Sequence, residues 1–473
     1  MAQSAQLSPG VLVTETNLTT IVPSVLTTAG AYAGAFNWGP VNKITNVDTE
    51  KTLLNNFGKP DSNTATSFFT AASFLAYGNN LQVVRAANTG TLNAVSTGTA
   101  VQIPNRDVFQ YSYLPSGASN AYGAFVARYP GALGNSLTVS VIDAGATSSQ
   151  YSGWQINLVN SQGTNYANVA LAGYFTGQPT TSYSVSQAGG ANDQIHVAVV
   201  DEDGLITGTA GQVLEKFEGL SKGSDARAAD GGSNYYKDVI NEASEYVWWA
   251  NDRSTASSNT GAKLINATST APLNVTFALG SDGYSESTAT LGVLGAAYDL
   301  FQSAEDIDIS LVLQGKPVGG TTVVNGQTVS DYQLANYLID NIAETRKDCI
   351  VLVTPPKSLC LNNTGNEAVS LKNWRGALHS SSYAVMDSGY KYQYDKYNDV
   401  LRWVPLNGDV AGTCVYTDTN RQPWFSPAGF SRGQIKNVSR LALNPNQAQR
   451  DNLYKANINP VTTFPGQGTV LFG

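Results

Sequence analysis

Asp331-Tyr332-Gln333-Leu334-Ala335-Asn336-Tyr337-Leu338-Ile339-Asp340-Asn341-Ile342, then Cys349-Ile350-Val351-Leu352-Val353-Thr354, is the stretch that decides the fold class. Leu334, Leu338 and Ile342 recur at helical spacing behind Asp331, a residue type that caps helices. The run from Cys349 to Thr354 reads as a strand, and Pro355-Pro356 stops it. The same pair occurs just upstream. Leu291, Leu294, Tyr298 and Phe301 mark a helix, and Ile307 to Leu313 reads as the strand after it. Repeated helix–strand pairs with short links predict parallel strands joined by right-handed crossovers.

Working outward, residues 21–89 carry the same alternation. Ala29 to Phe36 is small, apolar and Gly-bearing, as a buried strand would be. Asp48 caps a predicted helix to Phe57, with Gly58 and Pro60 as stops. Phe68, Ala71, Ala72 and Leu75 form the stripe of a second helix, and Leu81 to Arg85 reads as the next strand. Residues 90–284 differ: Gly, Ser, Thr and Asn dominate, and short apolar runs recur at Leu137 to Ile142, Trp154 to Val159 and Ile195 to Val200. Asp201-Glu202-Asp203-Gly204 reads as a hairpin turn into Leu205-Ile206. One helix is expected over Tyr236 to Trp249, with Val239, Ala243 and Tyr246 on one face. Near the C-terminus, Tyr390, Tyr392 and Tyr394 predict a strand that returns through Leu401 and Trp403. Asn444-Pro445-Asn446-Gln447 reads as a helix start, and Gly468 to Phe472 as a last strand.

The expected fold is therefore α/β plus β. Residues 21–89 and 285–473 form one discontinuous α/β core domain, and 90–284 is a β-rich domain inserted between them. Residues 1–20 form an extended N-terminal arm. Val11-Leu12-Val13-Thr14-Glu15-Thr16 has strand character but no local partner, so Val11, Val13 and Glu15 are expected to pair with another chain.

The 473 residues are too many for one compact domain. Charged residues make up 13%, about half the usual share, with a net charge of −8. The sequence pI of about 4.9 argues against general nucleic-acid affinity. A surface this poor in charge can stay soluble by burying itself against copies of itself. Cys349, Cys360 and Cys414 are too few and scattered for a disulfide framework or a zinc site and read as free thiols. The first residues lack a basic segment followed by an apolar one, so no secretory signal is read. The longest apolar run, near Ile350 to Val353, is far short of a membrane span.

Little in the sequence points to catalysis. Gly219-Leu220-Ser221-Lys222-Gly223 matches a nucleophile-elbow pattern, which makes a serine hydrolase the alternative of another class. Nothing around Ser221 reads as the strand–turn–helix that chemistry needs, so a surface loop is expected. The only histidines are His196, within an apolar strand, and His379, closing a helix through Leu371, Trp374 and Leu378. The pattern Asp201-Glu202-Asp203 lacks the spacing of a calcium loop. No phosphate-binding glycine motif follows the first strand. No cofactor, metal or catalytic set is expected.

Charge placement is more informative. Residues 421–455 hold Arg421, Arg432, Lys436, Arg440, Arg450 and Lys455 against Asp451 alone, a net of +5. Residues 282–308 hold Asp282, Glu286, Asp299, Glu305, Asp306 and Asp308 with no cation, a net of −6. Such segregation in a weakly charged chain reads as complementary contact faces.

Several strings resemble contractile tail sheath proteins of myophages. They include Ser8-Pro9-Gly10-Val11, Phe36-Asn37-Trp38-Gly39-Pro40, Phe57-Gly58-Lys59-Pro60 and Val83-Val84-Arg85-Ala86. Tyr129-Pro130-Gly131, Tyr392-Gln393-Tyr394-Asp395, Pro423-Trp424-Phe425-Ser426-Pro427 and Gln447-Ala448-Gln449-Arg450-Asp451 continue the series. The resemblance implies a non-enzymatic subunit of the virion, assembled in the host cytoplasm. It would polymerise as stacked rings around a tail tube, with baseplate and tail terminator proteins as further partners. Contraction would drive the tube through the host envelope for genome ejection, without direct nucleic-acid contact or a membrane span. A bacterial contractile injection system or bacteriocin sheath is the alternative setting. The resemblance also implies a tube-proximal segment beyond Gly473, which this sequence does not include. Arg421, Arg432, Lys436, Arg440 and Arg450 are expected at a subunit or tube interface, and the insertion is expected to face outward.

Overall fold

Gly30–Gly34 is the centre of a six-stranded sheet and is buried along its whole length. The strand order is Ala384–Met386, Ile350–Val353, Leu311–Leu313, Gly30–Gly34, Leu81–Arg85, Ile44–Val47. The first five run parallel, and Ile44–Val47 closes one edge antiparallel to Leu81–Arg85. Gly30 lies opposite Leu311 on one side and Leu81 on the other. A Cβ on Gly30 would stand 2.7 Å from the Phe74 ring, so glycine is what lets the helix Ala65–Leu75 lie close to the strand. The chain is described by a computed structural model over residues 28–114, 123–159, 164–228, 230–250, 271–361, 363–422 and 424–472. The expected N-terminal arm, with Val11, Val13 and Glu15, lies outside the described residues.

The two-residue period of the strands splits the core into two layers. Ala31, Ala33, Val84, Val312, Val351 and Val353 face the helices Leu291–Tyr298, Gln333–Leu338 and Glu367–Arg375. Tyr32, Leu81, Val83, Leu311, Leu313 and Leu352 face Ala65–Leu75 and Asn407–Asn420. The latter two helices meet very closely. A Cβ on Gly408 would stand 2.3 Å from the Thr70 carbonyl, and one on Gly412 2.3 Å from the Tyr77 ring. The sequence pattern predicts no helix at Asn407–Asn420.

Within 90–284 the main sheet is antiparallel, in the order Leu273–Thr276, Leu137–Asp143, Gln194–Asp201, Gln212–Ser221. Phe125–Ala127 pairs with Val247–Trp249, and Gln155–Val159 forms a hairpin with Asn165–Ala170. The molecule is thus a mixed α/β fold with several sheets.

Several boundaries differ from expectation. The helix expected through Trp249 is Tyr236–Ala243. Ser244 then turns to extended backbone, and its Oγ accepts from the amides of Tyr246 and Val247, which releases Val247–Trp249 into a strand. The strand returning from the Asp201 turn starts at Gln212, not at Leu205. The Asp201 carboxylate accepts from the amides of Ile206 and Thr207 at 3.1 and 2.7 Å, and this holds the intervening loop. Thr49, not Asp48, caps Glu50–Phe57, and Asp48 instead accepts from the Thr52 hydroxyl. Asp331 sits at φ 58 and binds the Gly319 amide, one residue outside the cap position of Gln333–Leu338. Asn446, rather than Asn444, caps Gln447–Lys455 in a reciprocal box with Gln449.

Candidate assembly surface

The residues weighed for catalysis are each held in structural contacts. Ser221 is fully buried at the end of the edge strand Gln212–Ser221, which corrects the expected surface loop. Its hydroxyl donates to Asp193 at 2.5 Å. His196 donates from Nε2 to the Gly177 carbonyl at 2.8 Å and accepts at Nδ1 from the Gly219 amide at 2.9 Å. Its ring stacks on Phe175 with centroids 4.8 Å apart, so neither nitrogen is left to take a proton from a serine. His379 is exposed and lies 2.7 Å from Asp340. Cys349, Cys360 and Cys414 are free, and burial pushes their thiols up, Cys349 to about 11.

The carboxyl ends of parallel strands are where an open α/β sheet offers a ligand crevice. Here side chains occupy it. The Glu286 carboxylate accepts from the Ser67 amide at 2.5 Å in the first turn of Ala65–Leu75, where an anion is favoured. Asn407 donates to the Gly315 carbonyl and to the Thr354 hydroxyl, both at 2.9 Å. Thr354 in turn donates to Asp387, whose other oxygen accepts from the Gly389 amide at 2.8 Å. Burial pushes the Asp387 carboxyl up to about 8, so it keeps its proton at neutral pH. Lys391 Nζ lies 2.8 and 2.9 Å from the two oxygens of Asp409, with both side chains almost fully buried. The space left beside Tyr32, Ser67 and Gln314 is about 20 Å³, room for about one water. None of this network was read from the sequence.

Arg85 joins the layers to the segment 90–284. It is 1% exposed, and its guanidinium donates to the carbonyls of Phe36 at 2.8 Å, Gly39 at 3.0 Å and Pro130 at 2.7 Å. Beside it, Gly283 at φ +56 passes so close to Gly90 that a Cβ would stand 2.1 Å from its carbonyl carbon.

The basic residues of 421–455 are held by rings and carbonyls rather than by carboxylates, as Arg128 and Lys216 also are. Lys43, Lys222, Arg346, Lys391, Lys396 and Arg402 have carboxylate partners. Arg421, Arg432, Lys436, Arg440 and Arg450 have none among the described residues. Four of them lie over aromatic rings instead. Arg432 is 5.4 Å from the Phe425 centroid, and Lys436 is 4.5 Å from Tyr77. Arg440 is 4.8 Å from Tyr392 and 5.3 Å from Trp403, and Arg450 is 5.4 Å from Phe464 and 5.7 Å from Phe472. Backbone carbonyls fix three of these heads: Ser426 for Arg432, Ala76 for Lys436 and Pro445 for Arg450. Arg421 is exposed at the end of Asn407–Asn420. Phe430, Phe464 and Phe472 cluster with centroids 5.2–5.9 Å apart. An open groove of about 700 Å³ lies beside Arg450, Tyr454 and Phe472.

The acidic stretch is smaller than its sequence count. Glu286 caps a helix, and Asp282 accepts from the Ala132 amide at 2.8 Å, so both are internal. Asp299, Glu305, Asp306 and Asp308 remain exposed.

The family model described as phage tail sheath protein central domain matches residues 322–473. The model described as tail sheath protein Gp18 domain III N-terminal region matches residues 27–86. The chain is 30% identical to the tail sheath protein of Vibrio phage KVP40, over 99% of this chain and 82% of that one. It is 31% identical to the tail sheath protein of Enterobacteria phage T4, over 99% and 81%. A sheath tail protein from Listeria innocua superposes with a TM-score of 0.48 at 10% identity, covering 94% of this chain and 68% of that chain.

Proposed function

The chain belongs to the family of phage tail sheath proteins, and we propose that it is a non-enzymatic subunit that polymerises around a tail tube and contracts to drive it through the host envelope. The observation that carries this reading is similarity at 30% identity along 99% of the chain. The filled carboxyl edge of the sheet, and the structural contacts held by Ser221 and both histidines, favour a structural role. In this reading the segments 21–89 and 285–473 form one core domain and 90–284 projects outward from it. The arm carrying Val11, Val13 and Glu15 pairs with a neighbouring subunit. Arg421, Arg432, Lys436, Arg440 and Arg450 face the tube or the next subunit. Baseplate and tail terminator proteins bound the polymer, which assembles in the host cytoplasm and becomes part of the virion.

Antibody labelling of virions tests the whole. Label spaced along the tail is the expected result, and label confined to the head or the tail tip refutes it. Deleting residues 1–20 should leave a folded monomer that forms no tubes, and normal tubes from that deletion would remove the arm from the reading.

A further inference from the structure

We infer that the ring-backed basic surface around Arg432 and Arg450 docks onto the acidic loop 302–310 of a second copy of this chain, head to tail. The inference rests on the subunit reading above and specifies what one of its interfaces joins.

Three observations carry it. The first is preorganisation of the cations. Each guanidinium has one face on a ring and one donor on a carbonyl, at Ser426 for Arg432 and Pro445 for Arg450. Its remaining donors have no carboxylate among the described residues. A planar fork held this way loses little freedom when a carboxylate arrives. The second is preorganisation of the acids. Arg346 donates to the carbonyls of Phe301 and Ser303 at 2.8 and 2.9 Å and of Ile307 at 2.9 Å. That grip shapes the loop that presents Glu305, Asp306 and Asp308. Arg346 is itself neutralised by Asp348, which leaves the three carboxylates without a cation among the described residues. The third is placement. Phe301 and Ile309, at the ends of the acidic loop, belong to the core layer on one face of the sheet. Ile435, Val461 and Leu471, beneath Arg432, belong to the layer on the other face, whereas Leu453 of the helix that carries Arg450 packs into the same layer as Phe301. No ion pair joins the acidic loop to the basic surface among the described residues, so the two complementary patches are placed to meet between copies. A contact between unlike patches does not saturate in a dimer and propagates into rings or helices. The open groove of about 700 Å³ beside Arg450 gives a protruding loop a place to seat.

The test uses the full chain with paired charge reversals. Arg432→Glu with Arg450→Glu, and separately Glu305→Lys with Asp306→Lys, should each raise the critical concentration for polymerisation about tenfold at low salt. The chain carrying all four changes should recover to within about twofold of wild type. If both double variants impair assembly and the fourfold variant does not recover, the pairing is wrong although the basic surface remains an interface. If both double variants polymerise like wild type, the interface assignment beneath the pairing fails as well. The neutral pair Arg432→Gln and Arg450→Gln separates charge from packing. Should a reversal unfold the chain, an Arg450→Cys chain mixed with an Asp306→Cys chain should form an intermolecular disulfide under oxidation. Its absence overturns the pairing independently.

Discussion

Replacing Arg85 by Met should loosen the attachment of residues 90–284 to the layers of the six-stranded sheet. Three charge-assisted bonds to Phe36, Gly39 and Pro130 would be lost. At about 1.5–3 kcal/mol each, their gross worth is roughly 4.5–9 kcal/mol. Against this, the substitution removes the cost of burying a guanidinium, several kcal/mol. Burial already pulls the Arg85 pKa down to about 10, which shows how expensive the charge is at this site. The expected net loss is about 3–5 kcal/mol, because three buried carbonyls are left without their donor at about 1–3 kcal/mol each. Arg85→Lys keeps a charge but cannot present a planar fork to three carbonyls, and should lose about half as much. Urea unfolding followed by tryptophan fluorescence reads this, because Trp154, Trp248 and Trp249 are buried within 90–284 and Trp374 against the six-stranded sheet. Limited proteolysis should cut the variant first between residues 86 and 94. A Met variant within about 1 kcal/mol of wild type, with an unchanged cleavage pattern, would show that the guanidinium does not hold the junction.

Three further outcomes follow from the buried polar groups. The Asp387 carboxyl titrates near 8 when folded, far above its ordinary value, so the folded chain binds an extra proton between about pH 4 and 8. Wild-type stability should therefore fall as pH rises through that window, by up to about 1.4 kcal/mol per unit, and Asp387→Asn should flatten the fall in urea midpoints. Lys391→Met leaves Asp409 buried and unpaired and should cost about 3–5 kcal/mol, whereas Lys391→Met with Asp409→Leu should cost clearly less in the same melts. Ser221→Ala removes one of the donors to the buried Asp193 and should lower stability by about 1–2 kcal/mol without altering assembly, which electron microscopy of the polymer checks.

The parallel sheet was legible because its strands are short apolar runs behind helices of clear period, as at Leu334, Leu338 and Ile342. Helix Asn407–Asn420 was not. Gly408, Gly412, Thr413 and Thr417 are weak helix formers, and the helix exists because those glycines admit the Thr70 carbonyl and the Tyr77 ring. Tertiary packing, invisible to a local window, overrode propensity there. At Val247–Trp249 the error ran the other way, since apolar residues happened to extend the helical period past Ser244. Charge counting found the basic surface but overstated the acidic one. Asp282 and Glu286 turn inward to cap backbone amides, and no spacing rule separates such a carboxylate from an exposed one. The rings beneath Arg432, Lys436, Arg440 and Arg450 come from distant segments in part, so stacking could not be read along the chain.

Two ion pairs lie inside the subunit while the ring-backed cations of 421–455 stand nearer solvent, and this has a physical consequence for a subunit of a polymer. The Lys391–Asp409 and Lys222–Asp143 pairs are almost closed to water, so salt screens them little. The stability of the isolated subunit should therefore change little with ionic strength. Arg432 and Arg450 reach their partners, by inference, only across an interface open to solvent, where the screening length shrinks from about 10 Å at 0.1 M salt to about 3 Å at 1 M. Assembly should weaken steeply over the same range. The two responses are measured together by following monomer unfolding and polymer sedimentation across one salt series. A flat unfolding midpoint with a falling polymer fraction is expected. If unfolding and assembly weaken in parallel, subunit stability and assembly depend on the same salt-sensitive contacts, and internal and external electrostatics are not separate.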